Sequence, residues 1–211
     1  MNREAISRKE MIDADKRAIN FYKIPSIVLM ENAAMAFFSE VKDMYHKFVV
    51  VSSCGNNGGD GLAIARHLYI SGREVKVYIA GNPDKMTEDC RINYEILKNL
   101  EVPINFLEED KLDKFSEAIR DYFLVDAIFG TGLSREVQGF YKELIEKINL
   151  CSKAILSVDI PSGINADTGE VMGAAIKASE TITFHKIKKG LLKAPRYTGV
   201  LKVKYIGIPN K

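Results

Sequence analysis

The chain lacks the features that would mark it for a membrane, a disulfide frame or a zinc site. Its three cysteines, Cys54, Cys90 and Cys151, are isolated, with no C-x-x-C pair and no Cys/His cluster. That pattern fits reduced thiols in a cytoplasmic protein. No apolar run approaches the roughly 20 residues of a membrane span, and the N-terminus has no signal-peptide core. A dominant charge is missing as well. Lys and Arg total 30 against 28 Asp and Glu, a net charge of +2, so bulk charge offers nucleic acid or a membrane no attraction. There is no internal repeat and no low-complexity tract. What remains, 46% hydrophobic and 27% charged residues, suits a single α/β domain over residues 1–211.

The stretch that is present in force is FVVVSSCGNNGGDGLAIARHL, residues 48–68. Its β-branched run at 48–51 reads as a buried strand. A turn follows with Gly55, Gly58, Gly59 and Gly61, and then Leu62, Ile64, Ala65 and Leu68 return at helical spacing. Strand, glycine turn and helix start together aim backbone N–H groups at a phosphate. Two absences narrow the reading. The dinucleotide fingerprint needs G-x-G-x-x-G/A and an acidic residue about 20 positions on. Here Ile64 stands where a small residue is needed, and the next strand ends in Ala80, Gly81 and Asn82 with no carboxylate. No Walker lysine follows the glycines either. A tight turn capped by Asp60 is the plain alternative, but such a turn rarely needs so many glycines.

The rest of the chain alternates helix and strand. Ser7-x-x-Glu10 is a capping box opening a helix over 7–22, and Pro25 precedes a second helix over 26–45. The second helix is nearly all apolar at 27–38 except for Glu31 and Asn32, which either bond locally or border a cleft or dimer contact. Strands are predicted at 74–80, 104–107, 124–129 and 154–158, with helices at 87–100, 109–121 and 139–149 between them. Residues 181–184 and 200–206 are β-rich with no clear helix between, and at least one is a candidate antiparallel strand. The pattern predicts a Rossmann-like, doubly wound, mostly parallel sheet with helices on both faces, a three-layer αβα domain.

In such a sheet ligands sit beyond the carboxyl ends of the strands. Three strand-end loops stand out, at 54–60, 126–135 and 159–165, all rich in Gly and small polar residues. They are predicted to converge on one crevice. Gly130-x-Gly132 admits backbone amides to a second phosphate, and Arg135 supplies a planar cation. Asn57, Asp126 and Ser162 offer oxygen donors suited to a hard cation. Asp159, at a strand end, is a candidate general acid/base. His67 reads as packed or solvated, His46 and His185 have no motif, and Lys186, Lys188 and Lys189 read as a solvated basic run that can also meet a phosphate. Cys54 lacks a base for nucleophilic work.

These loops resemble the NAD(P)H-hydrate epimerase family, also called the YjeF N-terminal domain. The resemblance rests on Leu29-Met30-Glu31-Asn32-Ala33, on Cys54 through Gly61 with Ala65-Arg66-His67-Leu68, on Asp126-Ala127-x-x-Gly130-Thr131-Gly132, on Asp159-x-Pro161-Ser162-Gly163, and on Thr183-Phe184. It covers essentially the whole chain. It implies interconversion of the R and S forms of NADHX and NADPHX, and Asp159, the acid/base candidate at a strand end, is the residue expected to transfer the proton. It also implies substrate contacts from Asn56, Asn57, Gly58, Gly59, Asp60, Gly130, Thr131, Gly132, Leu133, Ser134, Arg135, Glu136 and Asp159. A potassium ion is expected on Asn57, Asp126 and Ser162. The chain ends at Lys211 without the kinase-like domain of bifunctional members, so the S-specific, ADP- or ATP-dependent dehydratase is expected to be a separate protein. Lys188 matches the family's lysine, but the proline usual before it is missing. A homodimer through the apolar second helix is a further expectation. Two other functions compete: a non-catalytic nucleotide-binding or interaction module, as in relatives found in RNA-decapping scaffolds and lipoprotein-associated proteins, and an NAD(P)-dependent oxidoreductase.

Overall fold

The computed structural model describes residues 5–210. Seven strands form one sheet: β1 (Lys47–Ser52), β2 (Glu74–Ala80), β3 (Ile104–Leu107), β4 (Phe123–Ala127), β5 (Ala154–Val158), β6 (Glu180–Phe184) and β7 (Val200–Lys204). Their order is β3-β2-β1-β4-β5-β6-β7, and every pair is parallel. The helices are α1 (Arg8–Asn20), α2 (Ser26–Val41), α3 (Asn56–Ile70), α4 (Glu88–Asn99), α5 (Leu112–Ala118), α6 (Gly139–Cys151) and the single turn α7 (Pro195–Thr198). No helix among the described residues is long and apolar enough to cross a membrane.

Strand residues are split between two cores by their period of two. Phe48 and Val50 pack toward α1, α2, α3 and α4, whereas Val49 and Val51 pack toward α5 and α6. Burial on both faces explains why β1 is a continuous apolar run rather than an alternating one. The expected antiparallel strand does not occur. Between β6 and β7 the chain makes a 3-10 turn at Lys189–Lys193 and then α7, and this crossover returns it to run parallel. A third small cluster, including Ile160, Ile187 and Leu191, holds that crossover to the loop after β5.

The capping box is present as read: Ser7 Oγ accepts from the Glu10 amide, and the Glu10 side chain accepts from the Ser7 amide at 2.7 Å. Glu31 does not bond to nearby backbone. It accepts from Arg66 and from His67, the latter at 2.7 Å, tying α2 to α3. Asn32 Nδ2 donates to Ile206 O at 2.8 Å, tying α2 to the tail after β7.

The chain runs outward through β1, β2 and β3, then returns to place β4 on the other side of β1. Loops after β1 and β4 therefore leave the sheet in opposite directions. The gap between them is the topological switch point, where open α/β sheets receive ligands.

Candidate active site

A pocket of about 680 Å³ opens at this switch point, within the usual range for small-molecule sites. Its lining draws on all three strand-end loops: Asn56, Asn57 and Asp60 after β1, the stretch 128–135 after β4, and Asp159 after β5. Lys188 comes from beyond β6, and Met11, Ile12, Asp15, Lys16 and Ile19 from α1. The crevice predicted from the sequence thus exists, with a helix forming part of its wall that sequence reasoning left out.

The glycine block is not a turn, and Asp60 is not an N-cap. Helix α3 starts at Asn56 with Gly55 as its cap, so Gly58, Gly59 and Gly61 lie inside its first turns. Their small size is required by close packing. A Cβ on Gly58 would fall 1.9 Å from Ser53 O, and one on Gly61 would fall 2.4 Å from the Ala127 Cβ. The glycines bring the helix start against the ends of β1 and β4. Gly59 N–H is bonded to Gly55 O at 2.9 Å, while the first amides of the helix face outward as at any helix start. Gly58 and Gly59 themselves are buried, and Glu136 is exposed and accepts from Gln138 at 3.1 Å; none of these three lines the pocket.

The 130–135 loop is braced from α1. Arg8 Nε donates to Thr131 O at 2.7 Å and its Nη2 to Gly132 O at 3.2 Å. Asn57 packs against Gly130, where an added Cβ would meet Asn57 Oδ1 at 3.1 Å. At the end of β2, where a dinucleotide enzyme keeps its ribose carboxylate, a Cβ on Gly81 would meet the Tyr141 hydroxyl at 3.1 Å and Cys54 Sγ at 3.2 Å. That space is filled, which speaks against the oxidoreductase reading.

Beneath the pocket, Asp126 and Ser162 are both 0% exposed. Asp126 accepts from Ser157 Oγ at 2.8 Å, from Ser162 N at 2.9 Å and from Ser162 Oγ. Ser162 Oγ in turn accepts from Phe129 N at 2.8 Å. Burial pushes the Asp126 carboxyl above its ordinary range, and the hydrogen bonds from Ser162 and Ser157 pull the other way. Every donor is neutral. Asn57 Nδ2 is buried without a partner. The carboxyl of Asp126 and the hydroxyl of Ser162 are oxygen donors of the kind a hard cation takes, whereas the unpartnered Asn57 Nδ2 is a hydrogen-bond donor and only the Oδ1 of that side chain could serve as a ligand. Among the described residues no His, Cys and carboxylate cluster suits a transition metal.

Asp159 is built differently. Its φ of +66° is in the left-handed region, unusual for a residue other than glycine. Its Oδ1 accepts from Thr183 Oγ1 and Phe184 N, each at 3.1 Å, and from Lys188 Nζ. Lys188 is 1% exposed and also donates to Phe184 O at 2.9 Å and Thr183 Oγ1 at 3.1 Å. It is therefore a buried partner of Asp159 and not a solvated surface lysine. Its place just past β6 was the available signal, because each functional loop here follows a strand. Lys189, in contrast, is exposed and pairs with Glu10 at 3.3 Å. Cys54 is half-buried, and burial raises its thiol pKa, with Arg91 opposing, a shift that disfavours the thiolate.

Residues 26–190 match the family described as YjeF-related protein N-terminus, so the matched stretch begins just after α1. A protein of Oenococcus oeni named NAD(P)H-hydrate epimerase is 40% identical, over 96% of both chains. One of the same name from Lentilactobacillus buchneri is 41% identical over 97% of this chain and 95% of its own. A bifunctional NAD(P)H-hydrate repair enzyme Nnr of Thermofilum pendens is 38% identical over 93% of this chain and 38% of its own. The crystal structure of yeast ynu0 shares the fold, with a TM-score of 0.79 and 23% identity over 96% of this chain and 87% of that one. The matched residues include the three loops that meet at the switch point, and on this match the chain belongs to the YjeF-related protein N-terminus family.

Proposed function

We propose that this chain is an NAD(P)H-hydrate epimerase that interconverts the R and S forms of NADHX and NADPHX. The observation that carries the reading is one pocket holding both parts the reaction needs. A helix start and a glycine loop with Arg135 suit a pyrophosphate, and the Asp159–Lys188 pair stands beside them.

In the substrate the hydroxylated carbon adjoins the ring nitrogen. The nitrogen lone pair can form a C=N bond as the C–O bond breaks, giving a planar iminium and water. Water can then return to either face. Asp159 is suited to proton transfer in this step. Its Oδ1 is held by Lys188, Thr183 and the Phe184 amide, and no donor among the described residues binds Oδ2. The apolar wall of Met11, Ile12 and Ile19 limits bulk water at the reacting carbon.

Potassium is part of the same proposal. Asn57, Asp126 and Ser162 would hold it, and it would supply a fixed charge that pins the β1, β4 and β5 loops together. The proposal extends to a separate S-specific, ADP- or ATP-dependent dehydratase as functional partner, to a cytoplasmic setting, and to a homodimer through α2, where Val28 and Met35 are 43% and 44% exposed.

The test supplies R-NADPHX together with an S-specific dehydratase. Faster recovery of NADPH on adding this protein supports the epimerase. No change supports a non-catalytic binding module instead. Asp159→Asn should cut the catalysed rate about 10²–10⁴-fold; a wild-type rate would remove Asp159 from proton transfer.

A further inference from the structure

Helix α1 precedes the glycine loop by some forty residues of sequence yet forms one wall of the pocket. Its Met11 and Ala18 are buried in the core, and Arg8 anchors it to the carbonyls of Thr131 and Gly132. The helix is therefore a fixed wall. From this wall Asp15 lines the cavity. It makes no hydrogen bond or ion pair with any described residue. A half-buried carboxylate with no partner is uncommon, because burial of such a group is normally compensated.

We propose that Asp15 is a second proton-transfer carboxylate of this pocket, acting as the partner of Asp159. The proposal rests on the epimerase reading and deepens it. Epimerisation has two proton transfers: one to the departing hydroxyl, and one from the water that returns. One carboxyl must hold a proton while another is free to accept one. In one direction Asp15 gives its proton to the hydroxyl oxygen as the C–O bond breaks and the nitrogen lone pair closes the C=N bond. Water leaves, and Asp15 is ionised. A second water attacks the iminium carbon, the C=N electrons return to nitrogen, and Asp159 takes the water's proton. The reverse reaction exchanges the two roles. No oxidant or reductant is required, and exchange with solvent resets the pair.

The charges around Asp15 suit this division. Asp159 faces it from the loop after β5, Lys188 from beyond β6, and Asp60 from α3, while Lys16 is exposed at the rim. Burial, then the Asp159 carboxylate, push Asp15 up to about 6, with Lys188 opposing. Burial, then Asp159 and Asp15, push Asp60 well above its ordinary value, with Lys188 opposing. Lys188 Nζ is bonded to Asp159 Oδ1 and makes no such bond to Asp15.

Both directions require one proton on the pair, so kcat/KM has the same bell shape in each. Asp15 supplies its alkaline limb: the catalysed rate falls tenfold per pH unit above about pH 6. The experiment measures kcat and kcat/KM against pH for wild type, Asp15→Asn and Asp15→Glu, with spontaneous epimerisation subtracted and thermal melts as a folding control. Asp15→Asn is expected to lose about 10²–10⁴ in kcat with KM little changed, and its residual rate to lack the limb. Asp15→Glu should restore the limb and part of the rate. An Asp15→Asn enzyme with wild-type kcat, with only a raised KM, or with the limb intact overturns the proposal. If Asp15→Asn does not fold, a wild-type profile without a limb near pH 6 overturns it equally. A wild-type protein with no epimerisation at any pH defeats the function itself, an outcome distinct from all of these.

Discussion

Asp126 and Asp159 sit at the carboxyl ends of neighbouring strands, and their surroundings treat them in opposite ways. Asp126 is wholly buried and meets only neutral donors: two serine hydroxyls and backbone amides. Asp159 is 13% exposed, faces the pocket, and carries its own buried ammonium. In the first arrangement the carboxyl is met by hydrogen bonds alone, and burial raises its pKa. In the second a buried lysine pairs with Oδ1, and no donor among the described residues binds Oδ2. Two carboxylates that look alike in sequence thus stand in different electrostatic surroundings, because of what the adjacent loops bring to each.

The comparison can be broken most directly at Lys188. Lys188→Met should leave Asp159 without its cation and cost about 3–5 kcal/mol of stability, as expected on removing one partner of a buried pair. Denaturant unfolding checks this loss. Adding Asp159→Asn should recover part of the lost stability; an additive loss would show that the two side chains are not coupled.

A smaller effect is expected at Asp126. Wild type should melt higher in KCl than in the chloride of a large organic cation at equal ionic strength. The gain should be about 1–3 kcal/mol at potassium concentrations 10- to 100-fold above Kd. Asp126→Asn should abolish that difference. Equal melting of wild type in both salts would leave Asp126 as an ordinary buried hydrogen-bonded acid.

The smallest effect concerns Asp15, which has neither kind of compensation. Its pKa is raised in the folded state, to about 6. The protonated form is therefore favoured by folding, and the cost of ionising it grows from about pH 4 and is complete above pH 6. Asp15→Asn should raise the melting temperature by a few degrees at pH 8 and leave it nearly unchanged at pH 4, since about 1 kcal/mol moves a domain of this size by roughly 2–4 °C. A carboxylate that destabilises its own fold while lining a pocket fits the usual trade between stability and function. A lower melting temperature at pH 8 would mean that Asp15 has a structural partner.

Much of the fold was legible. Strands β2, β3 and β5 begin and end at the residues expected for them, and the capping box placed α1. The three loops were recognisable because small residues clustered after strands, and a parallel sheet requires such loops to share an edge. Other features were hidden. Gly58, Gly59 and Gly61 read as a turn because glycine is a poor helix former. Their helical place depends on backbone atoms of Ser53 and side chains of Met30 and Ala127 that close in from three other elements. Lys188 read as solvated because it lies in a basic run, and only the turn after β6 aims it inward at Asp159. Asp15 shares the face of α1 that carries the buried Met11 and Ala18, four residues after one and three before the other, and the loop after β4 makes the edge of that face a pocket wall.

Order along the chain decided the alternation of strand and helix, the apolar character of a sheet covered on both sides, and the chemical make-up of each strand end. These are local properties, set by periodicity and by the preferences of single residues. The direction of β7, the burial of Lys188 and the meeting of Asp15 with Asp159 were decided by tertiary structure alone. Each depends on segments far apart in sequence packing at one place, and a carboxylate's chemistry follows from the charges and solvent that such packing leaves around it.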